Sequence, residues 1–150
     1  MSDNILRLIP TVPDYVPDAE AQNQARKLLA SHLPQAREVY IELSDTVRFV
    51  DQGGNFERVR CPVCGVTLET EWWQQAMDTA YETKFSELGI TTPCCASGVS
   101  LNDLIYDWPA GFARFSLEAL NPNVRDLEDK MKRKLEELLG CELRRIWTHY

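Results

Sequence analysis

The sequence lacks long apolar runs at its start, lacks a surplus of basic charge, and lacks the short motifs that mark common enzymes. The N-terminal stretch MSDNILRLIP carries an early Asp3 and no apolar run longer than two or three residues. It is therefore expected to be neither a secretory signal nor a membrane span, and the chain is expected to be soluble, cytoplasmic and free of membrane. Sixteen Lys plus Arg stand against twenty-three Asp plus Glu, a net charge of −7. Nucleic-acid binders need basic surface to displace condensed counterions, so this balance argues against nucleic acid and favours a basic protein partner. No Walker phosphate loop, dinucleotide fingerprint, nucleophile-elbow serine or His-Glu zincin motif is present. Cys141 and His149 are the one tempting nucleophile and base, but eight residues along one strand would hold them about 26 Å apart. His32 falls near a helix end, where capping or packing accounts for it better than catalysis.

A chain of 150 residues with 44% apolar content can bury one sizeable core, so a single domain over 1–150 is expected. Residues 1–17 hold Pro10, Pro13 and Pro17, which cannot lie in a continuous helix, and are expected to form an extended arm on the body. Residues 18–33 read as a helix capped by Asp18, with Ala21, Ala25, Leu28 and Leu29 on one side. The body is expected over 37–150. Within it, the runs TVRFVD and FERVR flank Gln52-Gly53-Gly54-Asn55 and predict a hairpin that delivers Cys61. A second helix is predicted from Glu71 to Leu88, capped by Thr70 and stopped by Gly89, with Trp73, Met77, Tyr81, Phe85 and Leu88 inward and Trp72 off that stripe. VSLNDLIYDW and GFARFSLEAL predict a hairpin through Trp108 to Gly111. A third helix is predicted from Asn121–Asn123 to Leu139, with Val124, Leu127, Met131, Leu135 and Leu138 inward and Glu128–Lys132 and Asp129–Arg133 pairs outward. CELRRIWTHY reads as a last strand. From Arg37 onward this order predicts an α+β, ferredoxin-like βαββαβ sandwich, with the N-terminal helix added and a metal-bearing hairpin inserted before the first crossover helix.

Five cysteines in a chain read as cytoplasmic point to metal ligands and a buried thiol, because reducing compartments keep thiols free. In Cys61-Pro62-Val63-Cys64-Gly65 two thiolates separated by two residues can converge on one ion, while Gly65 can take the left-handed conformation that completes the turn. CPVCG resembles one half of a zinc ribbon. The other half departs from that pattern, since adjacent Cys94 and Cys95, between Pro93 and Gly98, stand where a spaced pair is expected. The predicted ligands are Cys61, Cys64, Cys94 and Cys95, with His32, His149, Cys141 or water as alternatives for the fourth. A redox role fits poorly, because strand-like residues rather than a helix follow the CxxC. Four thiolates would leave no open position, so the expected cofactor is a structural Zn2+ tying both ends of the Trp73 helix.

The leading expectation is a non-enzymatic, zinc-stabilised adaptor or inhibitor, of the kind of immunity proteins that neutralise basic toxins, with Glu69, Glu71, Asp78 and Glu82 as an acidic binding surface. An alternative is an enzyme with a pocket at the zinc edge lined by Trp72, Trp73 and Tyr81. Another is a nucleic-acid-binding zinc-ribbon protein using Arg58 and Arg60.

Overall fold

The computed structural model describes residues 2–150, which form a mixed α+β architecture built on antiparallel sheets. In chain order the elements are β1 (Asn4–Pro10), α1 (Ala19–His32), β2 (Glu38–Val50), β3 (Arg58–Arg60), β4 (Thr67–Leu68), α2 (Thr70–Glu82), β5 (Gly89–Thr91), β6 (Gly98–Ser100), a 3₁₀ turn at Leu101–Asp103, β7 (Ile105–Asp107), β8 (Gly111–Leu120), α3 (Asp129–Leu139) and β9 (Leu143–His149). They assemble into a four-stranded sheet of order β2-β8-β1-β9, a three-stranded sheet β4-β3-β7, and the hairpin β5-β6.

The four-stranded sheet is covered on one face by α1 and α3. Leu6, Leu8, Phe115 and Leu117 from the strands bury against Ala25 and Leu29 of α1 and Leu127, Met131 and Leu135 on the α3 side. Each such leucine, phenylalanine or methionine contributes roughly 1.5–3 kcal/mol on full burial, so this layer is a main source of stability. α1 begins where the sequence predicts, with the Asp18 carboxylate accepting from the Ala21 amide at 2.8 Å. α3 begins later than predicted. Residues 121–128 are irregular, Val124 is exposed, and Leu139 is buried more fully than Leu138. The α3 ion pair runs from Lys132 to Glu136 at 3.1 Å, and Asp129 pairs with Arg145 instead of Arg133.

Three expectations fail for one reason: the sequence does not say which strand pairs with which. The expected arm over residues 1–17 contains β1, a central strand whose Leu6, Leu8 and Ile9 are fully buried between β8 and β9. Its single proline lies at the strand end, opposite Leu143, where chain continuity as a strand is no longer needed. The predicted 46–60 hairpin does not form. β2 joins the segment EVYIEL to TVRFV and pairs with β8, absorbing the Ser44–Val47 segment as a bulge, while FERVR contributes the separate strand β3. The Gln52–Asn55 turn packs instead on β9, where the Gly54 amide donates to the His149 carbonyl at 2.7 Å and Gly53 sits at φ +58°. A Cβ on Gly53 would collide with that carbonyl. The 99–120 hairpin is also absent, because β7 pairs with β3 and only β8 joins the main sheet.

The long connection between β2 and β8 holds the second layer. Here Val59, Cys61, Leu68, Ala80, Leu101, Leu104, Tyr106 and Phe112 form their own core, packed by Phe49, Phe56, Trp72 and Trp73. α2 belongs to this layer and does not cover the main sheet as the predicted crossover helix would. It is shorter than predicted: Thr83 closes it, Lys84 and Phe85 take positive φ, and Gly89 opens β5 instead of stopping a helix. Its cap residue is Glu69, without a side-chain cap bond. Tyr81, predicted inward, is 68% exposed.

Candidate metal centre

β3 and β4 form a hairpin with Cys61–Val66 at its tip, and β5 and β6 form another with Thr92–Ser97 at its tip; α2 joins the two. The tips fold alike. In the first, the Cys61 amide donates to the Val66 carbonyl and the Gly65 amide to the Cys61 carbonyl, each at 2.9 Å. In the second, the Thr92 amide donates to Ser97 at 3.0 Å and the Ala96 amide to Thr92 at 2.9 Å. Gly65 (φ +78°) and Ala96 (φ +53°) occupy the same left-handed position. CPVCGV therefore matches TPCCAS residue for residue: Cys64 corresponds to Cys95, Cys94 to Val63, and Thr92 to Cys61.

The two tips bring the sulfurs of Cys61, Cys64, Cys94 and Cys95 together, all within 4.8 Å of one another. Cys61 lies 3.7 Å from Cys95, Cys64 lies 3.3 Å from Cys94, and Cys94 lies 3.9 Å from Cys95. None is a disulfide. A tetrahedron of sulfurs around an ion at about 2.3 Å has edges of about 3.8 Å, so this spacing fits one metal ion. Adjacent Cys94 and Cys95 both reach the cluster because the tip is a tight turn and not a strand, which would send them to opposite faces.

The sulfurs differ in their surroundings. Cys61 is fully buried and the other three are exposed. The amides of Cys64 and Val63, donating to the Cys61 sulfur, outweigh desolvation and draw its pKa down to about 6. Hydroxyls of Ser97 and Thr92 lower that of Cys95. Desolvation and the neighbouring thiols push Cys94 up to about 12. Two of the four sulfurs, those of Cys61 and Cys95, thus have hydrogen-bond donors that favour the thiolate form a metal ion requires.

The alternative ligands lie elsewhere. Cys141 packs against the main core, and burial followed by the Glu136 charge raises its thiol to about 11. His149 Nδ1 faces Asn4 Oδ1 at 2.8 Å. His32 ends α1. The three aromatics expected at a zinc-edge pocket separate. Trp72 lines a cavity of about 330 Å3 with Glu69, Pro93 and Cys94. Trp73 is packed among Phe49, Phe56 and Tyr106 at ring distances of 5.7–6.0 Å, and its indole N–H donates to the Tyr106 hydroxyl. Tyr81 faces solvent. Arg58 and Arg60 both bind the Asp107 carboxylate, Arg58 at 2.6 Å and Arg60 at 3.2 Å, which locks β3 to β7. The feature that sequence reading missed is Thr92, 1% exposed, with Oγ1 accepting from the Ser97 amide and lying 3.3 Å from the Cys95 sulfur. A faint signal was available, because TPCCA shares the proline and the second cysteine of CPVCG at the same spacing, with Thr92 in place of the first cysteine.

Among the described residues, no helix is long and apolar enough to cross a membrane. Comparison of the chain with protein-family models, with curated proteins and with solved structures finds no match.

Proposed function

We propose that this chain is a zinc-stabilised protein-binding protein in which the metal is structural and α2 is the recognition element. The observation that carries the metal reading is the convergence of four cysteine sulfurs within 4.8 Å of one another. Zinc suits it best because a closed-shell ion has no geometric preference of its own and accepts uneven sulfur spacings, 3.3–3.9 Å for three of the six pairs and within 4.8 Å for all. Four thiolates leave no coordination position for substrate, so the role is to hold two hairpin tips together.

The partner reading rests on the outer side of α2. Glu71, Asp78 and Glu82, at spacings of seven and four, share one helical stripe, and all three are exposed. Tyr81 stands beside that stripe, presenting a large amphipathic ring of the kind that anchors protein interfaces. Carboxylates around an exposed tyrosine complement a basic protein surface, as an adaptor or an immunity-type inhibitor would require. The frame of β1, α1, β2, β8, α3 and β9, with sheet order β2-β8-β1-β9, supports reading the main layer as a ferredoxin-like sandwich. In that reading the metal-bearing layer is inserted between the second and third strands of the frame, and not before its first helix.

The test is affinity capture from native lysate with metal analysis of the same sample, run in parallel with the Glu71→Lys/Asp78→Lys/Glu82→Lys variant. Zinc near one equivalent, and a basic protein captured by the native chain alone at equal melting temperatures, is the expected result. Absence of metal, or a captured set indifferent to the charge reversal, would overturn the proposal.

A further inference from the structure

Away from the cysteines and α2, six segments converge on an open groove of about 730 Å3, within the size range of small-ligand sites. Arg37, Asn55, Trp108, Asn123, Arg125 and Trp147 supply its chemistry. Among the described residues no carboxylate lines it, although acidic residues outnumber basic ones by 23 to 16 in the chain. Arg37 and Arg125 are exposed and, among the described residues, form no ion pair. The nearby Asp126 and Asp3 are engaged with other groups, Asp126 accepting from the Trp147 indole and Asp3 from the Asn121 amide, each at 3.0 Å.

The groove is also held in shape. Trp108 is 45% exposed, yet its carbonyl is fixed by the side-chain amide of buried Gln52 at 3.0 Å. Asn55 is held by its bond to the Trp147 carbonyl, and Asn123 by its bond to Gln35, which leaves one amide oxygen of each asparagine available. Asn121 and Asn123 both take left-handed backbone conformations, at φ +46° and +59°. Such conformations are stored at ligand-facing loops more often than elsewhere.

An exposed indole stacks on planar rings, unpaired guanidiniums take phosphate, and side-chain amides pair with the alternating donors and acceptors of a base edge. From this we infer that the groove binds a nucleotide, an aromatic base carrying phosphate, either free or as one unit of a single strand. The net charge of −7 opposes long polyanions, but that field is screened beyond about 8 Å at physiological salt, so the two local arginines govern a short ligand.

The experiment follows quenching of tryptophan fluorescence on titration with AMP, GMP, CMP, UMP, their unphosphorylated nucleosides and a ten-nucleotide oligouridylate. Binding of the same probes is then measured by isothermal titration calorimetry, which does not depend on the indole, for the native chain, Trp108→Ala and Arg37→Ala/Arg125→Ala, exposed positions whose variants should melt as the native chain does. The expected result is sub-millimolar binding of at least one phosphorylated probe, weakened tenfold or more in both variants and by raised salt. Preference for the oligonucleotide over every monomer assigns the ligand to a strand, and the reverse assigns it to a free nucleotide. No quenching by any probe at 10 mM, equal affinity for nucleosides and nucleotides, or binding unchanged in both variants would overturn the inference.

Discussion

At the position of Thr92, a hydroxyl stands where the matching tip carries the Cys61 sulfur, and the missing ligand is supplied two residues later by Cys94. The substitution has a cost in exposure, because Cys61 is buried whereas Cys94 is open to solvent and borders the Trp72 cavity. Cys94→Ser is expected to weaken zinc binding at least tenfold, measured by competition with a chelator. Thr92→Cys placed in that background should restore it, because the tip geometry at residue 92 copies that at residue 61; failure of rescue would show that the two tips are not equivalent. Ala96 takes a left-handed conformation that its counterpart Gly65 adopts without steric penalty. Ala96→Gly should therefore raise stability by about 0.5–1 kcal/mol, the relief of strain exceeding the added freedom of the unfolded chain. Denaturant melts decide the sign.

At the scale of elements, β3 and β7 are three residues each and would be marginal as isolated strands. Asp107 joins them by accepting from Arg60 and Arg58. The hydrogen bond from Arg60, then that from Arg58, holds the Asp107 carboxyl below the usual carboxylate value. A depressed folded-state pKa gives stability that is complete above the unfolded pKa of about 3.9 and is lost as pH falls through the folded value. The native chain should therefore exceed Asp107→Asn in stability above about pH 5, and the difference should shrink as pH falls below the unfolded value of about 3.9 towards the lower folded value. A gap that stays constant across that range would mean that the carboxylate charge is not what pins β3 to β7. Both arginines of the expected nucleic-acid surface, Arg58 and Arg60, are thus engaged with Asp107.

For the whole molecule, the decisive feature is that β2 and β8 serve two large cores, with a smaller cluster of Ile9, Val50, Ala113 and Ile146 beside them. Phe49 and Phe112 reach into the second core, while Phe115 and Leu117 of the same β8 strand serve the first. The second core lies among short strands and one helix, so the metal at the hairpin tips is expected to carry much of its stability. Chelation should lower the melting temperature by about 10 °C or more, from a loss of several kcal/mol at roughly 2–4 °C per kcal/mol. Hydrogen exchange should quicken first in α2 and the two hairpins, with β1, β8 and α1 protected longest. An unchanged melt in metal-free protein would refute the structural role.

The periodic and local features were legible in the sequence. The boundaries of α1, the buried stripe Leu127, Met131 and Leu135, and the CPVCG turn each depend on residues within a few positions of one another. The convergence of Cys94 and Cys95 on that turn was legible as a pairing of motifs, though its geometry was not. What the sequence alone determined is therefore which four cysteines form the cluster, the buried side of α1 and the stripe Leu127, Met131 and Leu135, but not the inner face of α2, where Tyr81 turned outward. The tertiary structure alone decided that residues 4–10 form a central strand, that β2 pairs with β8 across a long insertion, and that α2 serves the second core. An apolar strand is indifferent to its partner until hydrogen bonds and burial across distant segments are satisfied together, and no local pattern encodes that choice.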